Sequence, residues 1–189
     1  MNKLIASVLL ILVSINAQAD WQLNNQQSSV NFISIKKSTV GEIHHFKSLS
    51  GHIKGDNVTV SIDLSSVETN VPVRNERMET MLFDVANFAT ADIKTSIEQS
   101  RINALKHGES YLDKINIVVS LHGKSKELET MVNIIKLSDN RVLVYSIQPI
   151  IVNASDFDLA AGVEALKTVA KLPSISSAVP VTFSLVFKN

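Results

Sequence analysis

The chain has 189 residues, no cysteine, and 18 basic residues against 18 acidic ones. That composition excludes disulfides, thiolate metal sites and a lipid-modified N-terminal cysteine. The basic residues are scattered, with pairs such as Lys36-Lys37 the densest clusters, so the basic stripe of a nucleic-acid-binding protein is absent.

Lys3 precedes an apolar run over residues 4–15, and Ala17-Gln18-Ala19 follows it. A basic start, a short apolar core and small residues before the cut are the marks of a secretory signal. The run is shorter than the about 20 residues a permanent membrane span requires. We therefore read residues 1–19 as a signal peptide cleaved after Ala19, and residues 20–189 as one domain.

From there the dominant period is two. Val58, Val60, Ile62 and Leu64 alternate with polar residues, which predicts a half-buried strand. Tyr111, Ile115, Ile117, Val119 and Leu121 share one face of a second strand, broken only by Asp113, and Val181, Phe183, Leu185 and Phe187 make the last. Residues 29–36, 42–53, 92–98, 128–137 and 141–152 bring the expected strands to eight, separated by turn signals such as Lys54-Gly55-Asp56-Asn57, His107-Gly108 and Ser138-Asp139-Asn140. Two segments switch to helical spacing: Met78, Met81, Leu82 and Val85 within 74–88, then Val163, Leu166, Val169 and Ala170 before Leu172-Pro173. Evenly spaced strands in a chain of this size predict an all-β sandwich or a closed antiparallel barrel with two short helices.

Residues 141–151 are apolar on both faces, with Val142, Val144 and Ile150 on one and Leu143, Tyr145, Ile147 and Ile151 on the other. Such a strand either packs between a core and a covering helix or lines an apolar lumen. The spacing alone leaves both open.

Chemical motifs are missing. Of the five histidines, His44 and His45 are neighbours in a strand and point to opposite faces, and no metal-binding spacing joins His52, His107 or His122. There is no Gly-x-Ser-x-Gly elbow and no Gly-rich phosphate loop, while Asp156 and Asp158 read as turn formers; Arg74 and Arg77 could hold an anion, but a surface ion pair at the start of a helix is the commoner role. We expect no catalytic residues, no metal and no cofactor. One Trp and two Tyr are too few for the aromatic girdles of an outer-membrane barrel.

Several segments carry a resemblance when taken in order: Ser28-Ser29-Val30-x-Phe32; Phe46-x-x-Leu49-x-Gly51; Val60-x-Ile62-Asp63-Leu64-x-Ser66-Val67-x-Thr69; Arg74-Asn75-Glu76-Arg77-Met78 with Leu82-Phe83; Leu121-His122-Gly123-Lys124-Ser125-Lys126; Asn153-Ala154-Ser155-Asp156-Phe157; and Val181-x-Phe183. From about Ser28 to Phe187 the chain resembles the YceI-like proteins. It departs from them at Asp158, where the family often has Gly, at Ser125 for Thr, and at Ala89-Thr90 for an aromatic-Pro pair.

The resemblance implies an eight-stranded antiparallel lipocalin-like barrel, exported to the periplasm, that binds, transports or sequesters a polyisoprenoid lipid in its lumen without acting as an enzyme. The bound lipid, an isoprenoid quinone or a related polyprenyl lipid, is then a ligand rather than a cofactor. The lack of a basic cluster in the sequence points to a neutral head. Expected lumen residues are Phe32, Phe46, Val60, Ile62, Phe83, Phe88, Ile117, Val119, Val144, Phe183 and Leu185. Transient membrane contact and pairing of two copies are compatible with this reading; nucleic acid is not expected. The alternative is an exported interaction module whose barrel is filled by its own side chains and which serves a membrane partner.

Overall fold

Alternation of apolar and polar residues drives every long element of the computed structural model, which describes residues 20–189; the signal-peptide assignment lies outside the described residues. The strands are β1 (Trp21–Leu23), β2 (Ser29–Lys36), β3 (Val40–Phe46), β4 (Leu49–Lys54), β5 (Asn57–Asp63), β6 (Val67–Glu68), β7 (Thr90–Ser96), β8 (Ser110–Leu121), β9 (Lys124–Ser138), β10 (Arg141–Ser146), β11 (Ile150–Asn153) and β12 (Ala178–Lys188). Three α-helices join them: α1 (Pro72–Arg77), α2 (Gln99–Ala104) and α3 (Ala160–Val169). All pairings are antiparallel. Because β1 pairs with both β4 and β12, the sheet closes on itself. The twelve segments merge into eight staves, since β1 and β2, β3 and β4, β5 and β6, and β10 and β11 are each one interrupted strand. Closure removes every long free edge, which suits a chain without disulfides.

The interruptions were not anticipated: the expected strand 42–53 breaks at Lys47-Ser48, and 141–152 breaks at 147–149. A barrel wall must bend, and a bend frees backbone groups that need partners. Short polar side chains supply them. Asn25 accepts from Leu49 N at 2.8 Å and donates to Lys47 O at 2.9 Å. Ser28 Oγ accepts from Val186 N at 2.9 Å, Ser66 Oγ from Ser48 N at 3.0 Å and Ser146 Oγ from Phe183 N at 3.2 Å.

Both expected helices exist, but each is shorter than its apolar spacing suggests, and α2 was not foreseen. After α1 the chain makes a π-helical turn over Met78–Leu82, closed by Phe83 N donating to Met78 O at 2.9 Å. The wider turn shifts the apolar stripe. Met78 is buried and Leu82 packs on the core, while Met81 turns out to solvent. Likewise Val163 and Leu166 of α3 pack inward and Val169 is exposed. Asp158, which replaces a common glycine, adopts a left-handed conformation with φ 55° as the C-cap of the turn Ala154–Phe157 that leads into α3. An Asp tolerates this region better than most residues, so the turn survives the change.

The α1 segment and α3 lie against each other across one end of the barrel. This lid is anchored by Glu68, whose carboxylate accepts from Asn70 N at 2.7 Å, Asn75 Nδ2 at 3.0 Å and Lys47 Nζ at 3.1 Å. These bonds, that from Asn75 foremost, hold its pKa down to about 2. At the far end Trp21, Ile53 and Phe187 are almost wholly buried together with Ile102 of α2.

Candidate functional site

Side chains that alternate along a closed barrel have one face inside, and here the inner face does not fill the space. A cavity of about 230 Å³ lies within the barrel. A water needs about 10–15 Å³ on such a measure, so this is no packing defect. Every lining residue except Thr95 is apolar, and Thr95 donates its hydroxyl to Asn116 O at 2.7 Å, where the β7–β8 ladder ends.

Of the expected lumen residues, Phe32, Phe46, Val60, Ile62, Phe83, Ile117, Val119, Val144, Phe183 and Leu185 all line this cavity. Phe88 does not. Asp84, with φ 48°, ends the lid segment, and Phe88 N bonds back to Asp84 O at 2.9 Å, leaving the ring outside. There it rests on the β8–β9 hairpin, 4.4 Å from the His122 ring and against Gly123. Neither a strand period nor the helical spacing of Met78, Met81, Leu82 and Val85 fixes where the Phe88 side chain points. The doubly apolar segment resolves as well: Val144 and Ile150 line the cavity, Leu143 and Tyr145 lie half-buried outside, and Ile147 and Ile151 are exposed.

Sequence reasoning did not single out Leu82 and Val163, which close the cavity from the lid. Their helical spacing signalled burial but not against what. Gly162 sets how closely the lid sits: a Cβ there would fall 2.7 Å from Met81 O and 2.9 Å from Leu82 Cα. Backbone cannot yield to that contact unless α3 lifts. Gly162→Ala is expected to cost about 1–3 kcal/mol of stability. It should also speed amide hydrogen exchange across α3. Unchanged exchange would mean that α3 is not held by this contact.

Beside the lid the inner face turns polar. Glu42 receives Lys36 Nζ at 2.7 Å and Arg74 Nη1 at 2.8 Å. The bond from Lys36 foremost holds its carboxyl below the ordinary value; burial opposes it, and the charges of Arg74 and Lys36 add to the lowering. Arg74 Nη2 donates to Thr69 O at 2.6 Å. Thus Arg74 makes the expected ion pair, whereas Arg77 makes none among the described residues. His44 is 1% exposed, with Nε2 2.7 Å from Ser34 Oγ. Burial pushes its pKa down to about 4, and the Arg74 guanidinium acts in the same direction. The imidazole is neutral at pH 7.

Asp156 and Asp158 stand in the turn before α3, as expected, paired with Lys126 and Lys124. Among the described residues no group of three or more His, Asp or Glu is placed to hold a metal ion, and no helix is long and apolar enough to cross a membrane. The arrangement is suited to enclosing a slender apolar molecule.

Residues 21–187 match the YceI-like domain family. No curated protein matches the chain. Among solved structures, a polyisoprenoid binding domain from Saccharophagus degradans implicated in plant cell wall breakdown is 36% identical, with a TM-score of 0.87 over 89% of this chain and 97% of that one. BcnA of Burkholderia cenocepacia has a TM-score of 0.66 at 17% identity, covering 87% of this chain and 98% of its own. The Campylobacter jejuni YceI protein has a TM-score of 0.56 at 16% identity, covering 77% and 84%. These last two share the fold.

Proposed function

Because the chain belongs to the YceI-like family, we propose that its barrel binds a polyisoprenoid lipid, an isoprenoid quinone, and carries or sequesters it in the periplasm without chemical change. The observation that supports this most directly is the apolar cavity running from the lid to Phe187. The 36% identity to a polyisoprenoid binding domain supports the ligand class. Each buried methylene contributes about 0.8 kcal/mol before the ordering of the tail is set against it. Such a tail needs shape and apolarity, and the lining provides both.

At the lid end Val71, Val73, Met81 and Val169 are exposed. That supports loading and release at a membrane surface. Apolar extraction of the protein purified from its own compartment, followed by mass spectrometry, tests the reading. A retained polyprenyl lipid is the expected result, and a barrel that carries none in native mass spectrometry would favour the interaction module. Rebinding should change little between low and high salt, since the tail is uncharged.

A further inference from the structure

We propose that Ser34, His44 and Arg74 form the seat for the oxygen-bearing ring of the ligand's head group, so that the lipid lies with its head beside the lid and its tail toward Phe187. This rests on the reading of the cavity as a lipid site and adds its polarity and head-group chemistry. Four rings stand in a row from Phe83 of the lid segment across β3 and β2 to His44, which lies back beside α1. Phe83 to Phe46 is 6.1 Å between centroids, Phe46 to Phe32 is 5.3 Å, and Phe32 to His44 is 5.1 Å. The first three line the cavity and the fourth does not, so the apolar lining gives way to polar groups at His44.

Two polar atoms in this cluster are buried without a hydrogen-bond partner, His44 Nδ1 and Arg74 Nε. Folded proteins keep few such atoms, and those that persist call for a partner. A ring oxygen meets the need. Neutral imidazole, bonded to Ser34 through Nε2, donates from Nδ1 to a quinone carbonyl in one tautomer and accepts from a phenolic hydroxyl in the other. Arg74 Nε donates to either oxygen. Lys36 and Arg74 share Glu42, so the cluster carries a single net positive charge. One unbalanced cation beside a neutral imidazole suits an uncharged ring with partial negative oxygens better than a diphosphate, which needs several cations. Phe32 and Phe46 present flat faces for that ring.

The test compares two probes on the mature protein: decylubiquinone, which has the head and a plain tail, and squalene, a polyisoprenoid with no head. Wild type should prefer decylubiquinone. His44→Phe should weaken decylubiquinone about tenfold, the loss of roughly one good hydrogen bond, while squalene binding stays within about twofold. Ser34→Ala, which leaves the strand intact, should give a smaller loss of the same kind and covers the case in which His44→Phe does not fold. The ¹⁵N signal of His44 Nδ1 should move on adding decylubiquinone and stay put with squalene. Equal affinity of wild type and both variants for decylubiquinone, or an unmoved Nδ1 signal, overturns the head-group seat while leaving the carrier intact. A wild-type barrel that binds neither probe overturns the carrier reading and the seat with it.

Discussion

Phe183→Asp is expected to leave a folded barrel that retains no lipid, while the same change at Phe157 unfolds the protein. Phe183 is half-buried on β12 and faces the cavity. A carboxylate there meets space for water when the barrel is empty, so it ionises in a wet pore and the fold loses less than about 2 kcal/mol. With a lipid tail in place the same charge must shed its water or be neutralised, and either outcome expels the tail. Phe157 is fully buried in a small apolar cluster with Ala154 and Leu159, and although those two line the cavity, Phe157 does not. An aspartate there leaves both a void and an uncompensated polar group, a loss of about 4 kcal/mol or more. Thermal unfolding and lipid content measured on both variants check the pair. A Phe183→Asp barrel that keeps its lipid takes this residue out of the site. Unfolding of both variants alike would show that the inner face is a packed core.

The ligand-free protein should lose stability as pH falls from 6.5 to 4. His44 has its folded pKa pushed from 6.5 down to about 4. In that interval the unfolded chain takes up a proton and the folded chain does not, so unfolding is favoured on the acid side. The stability His44 contributes is present above pH 6.5 and falls with acid until its folded form also protonates near 4. The full loss amounts to about 3 kcal/mol. Facing the ring are Arg74, Lys36 and His45, which oppose its charge, and Glu42, which favours it. The lowered pKa values of Glu42 and Glu68 act in a separate window: their stability is present above the ordinary carboxylate range and drains below about pH 4.5. Urea unfolding across pH 3–7 reads both limbs. In His44→Phe the upper limb should flatten and the lower one remain; an unchanged upper limb would assign the slope elsewhere.

Much of the barrel was legible in the residues. The period-two runs of Val58 to Leu64, Tyr111 to Leu121 and Val181 to Phe187 placed strands and told which side chains share a face, because a strand has no other way to arrange them. That is why nine expected lumen residues on strands turned out to share one cavity; Phe83 joins them from the lid segment, and Phe88, beyond that segment and before β7, does not. The helical spacing at Met78 and Val163 announced two amphipathic segments. The departures at Asp158 and Ser125 changed no strand.

Other features were settled only by the tertiary structure. Period two says that a face is buried, and it is silent on whether that face meets other side chains or empty space. That depends on the girth of the closed barrel, set by how eight staves pair. The breaks at Lys47-Ser48 and 147–149 follow from the bending of the wall, which no local run encodes. The π-turn that rotated Met81 outward arises where α1 must meet α3. Lys36, Glu42, His44 and Arg74 look like scattered charges along the chain, since β2, β3 and α1 bring them together only when the barrel closes under its lid. Local sequence determines which face of each element is apolar; distant pairing decides what stands opposite it, because side chains far apart in sequence become neighbours only through the fold.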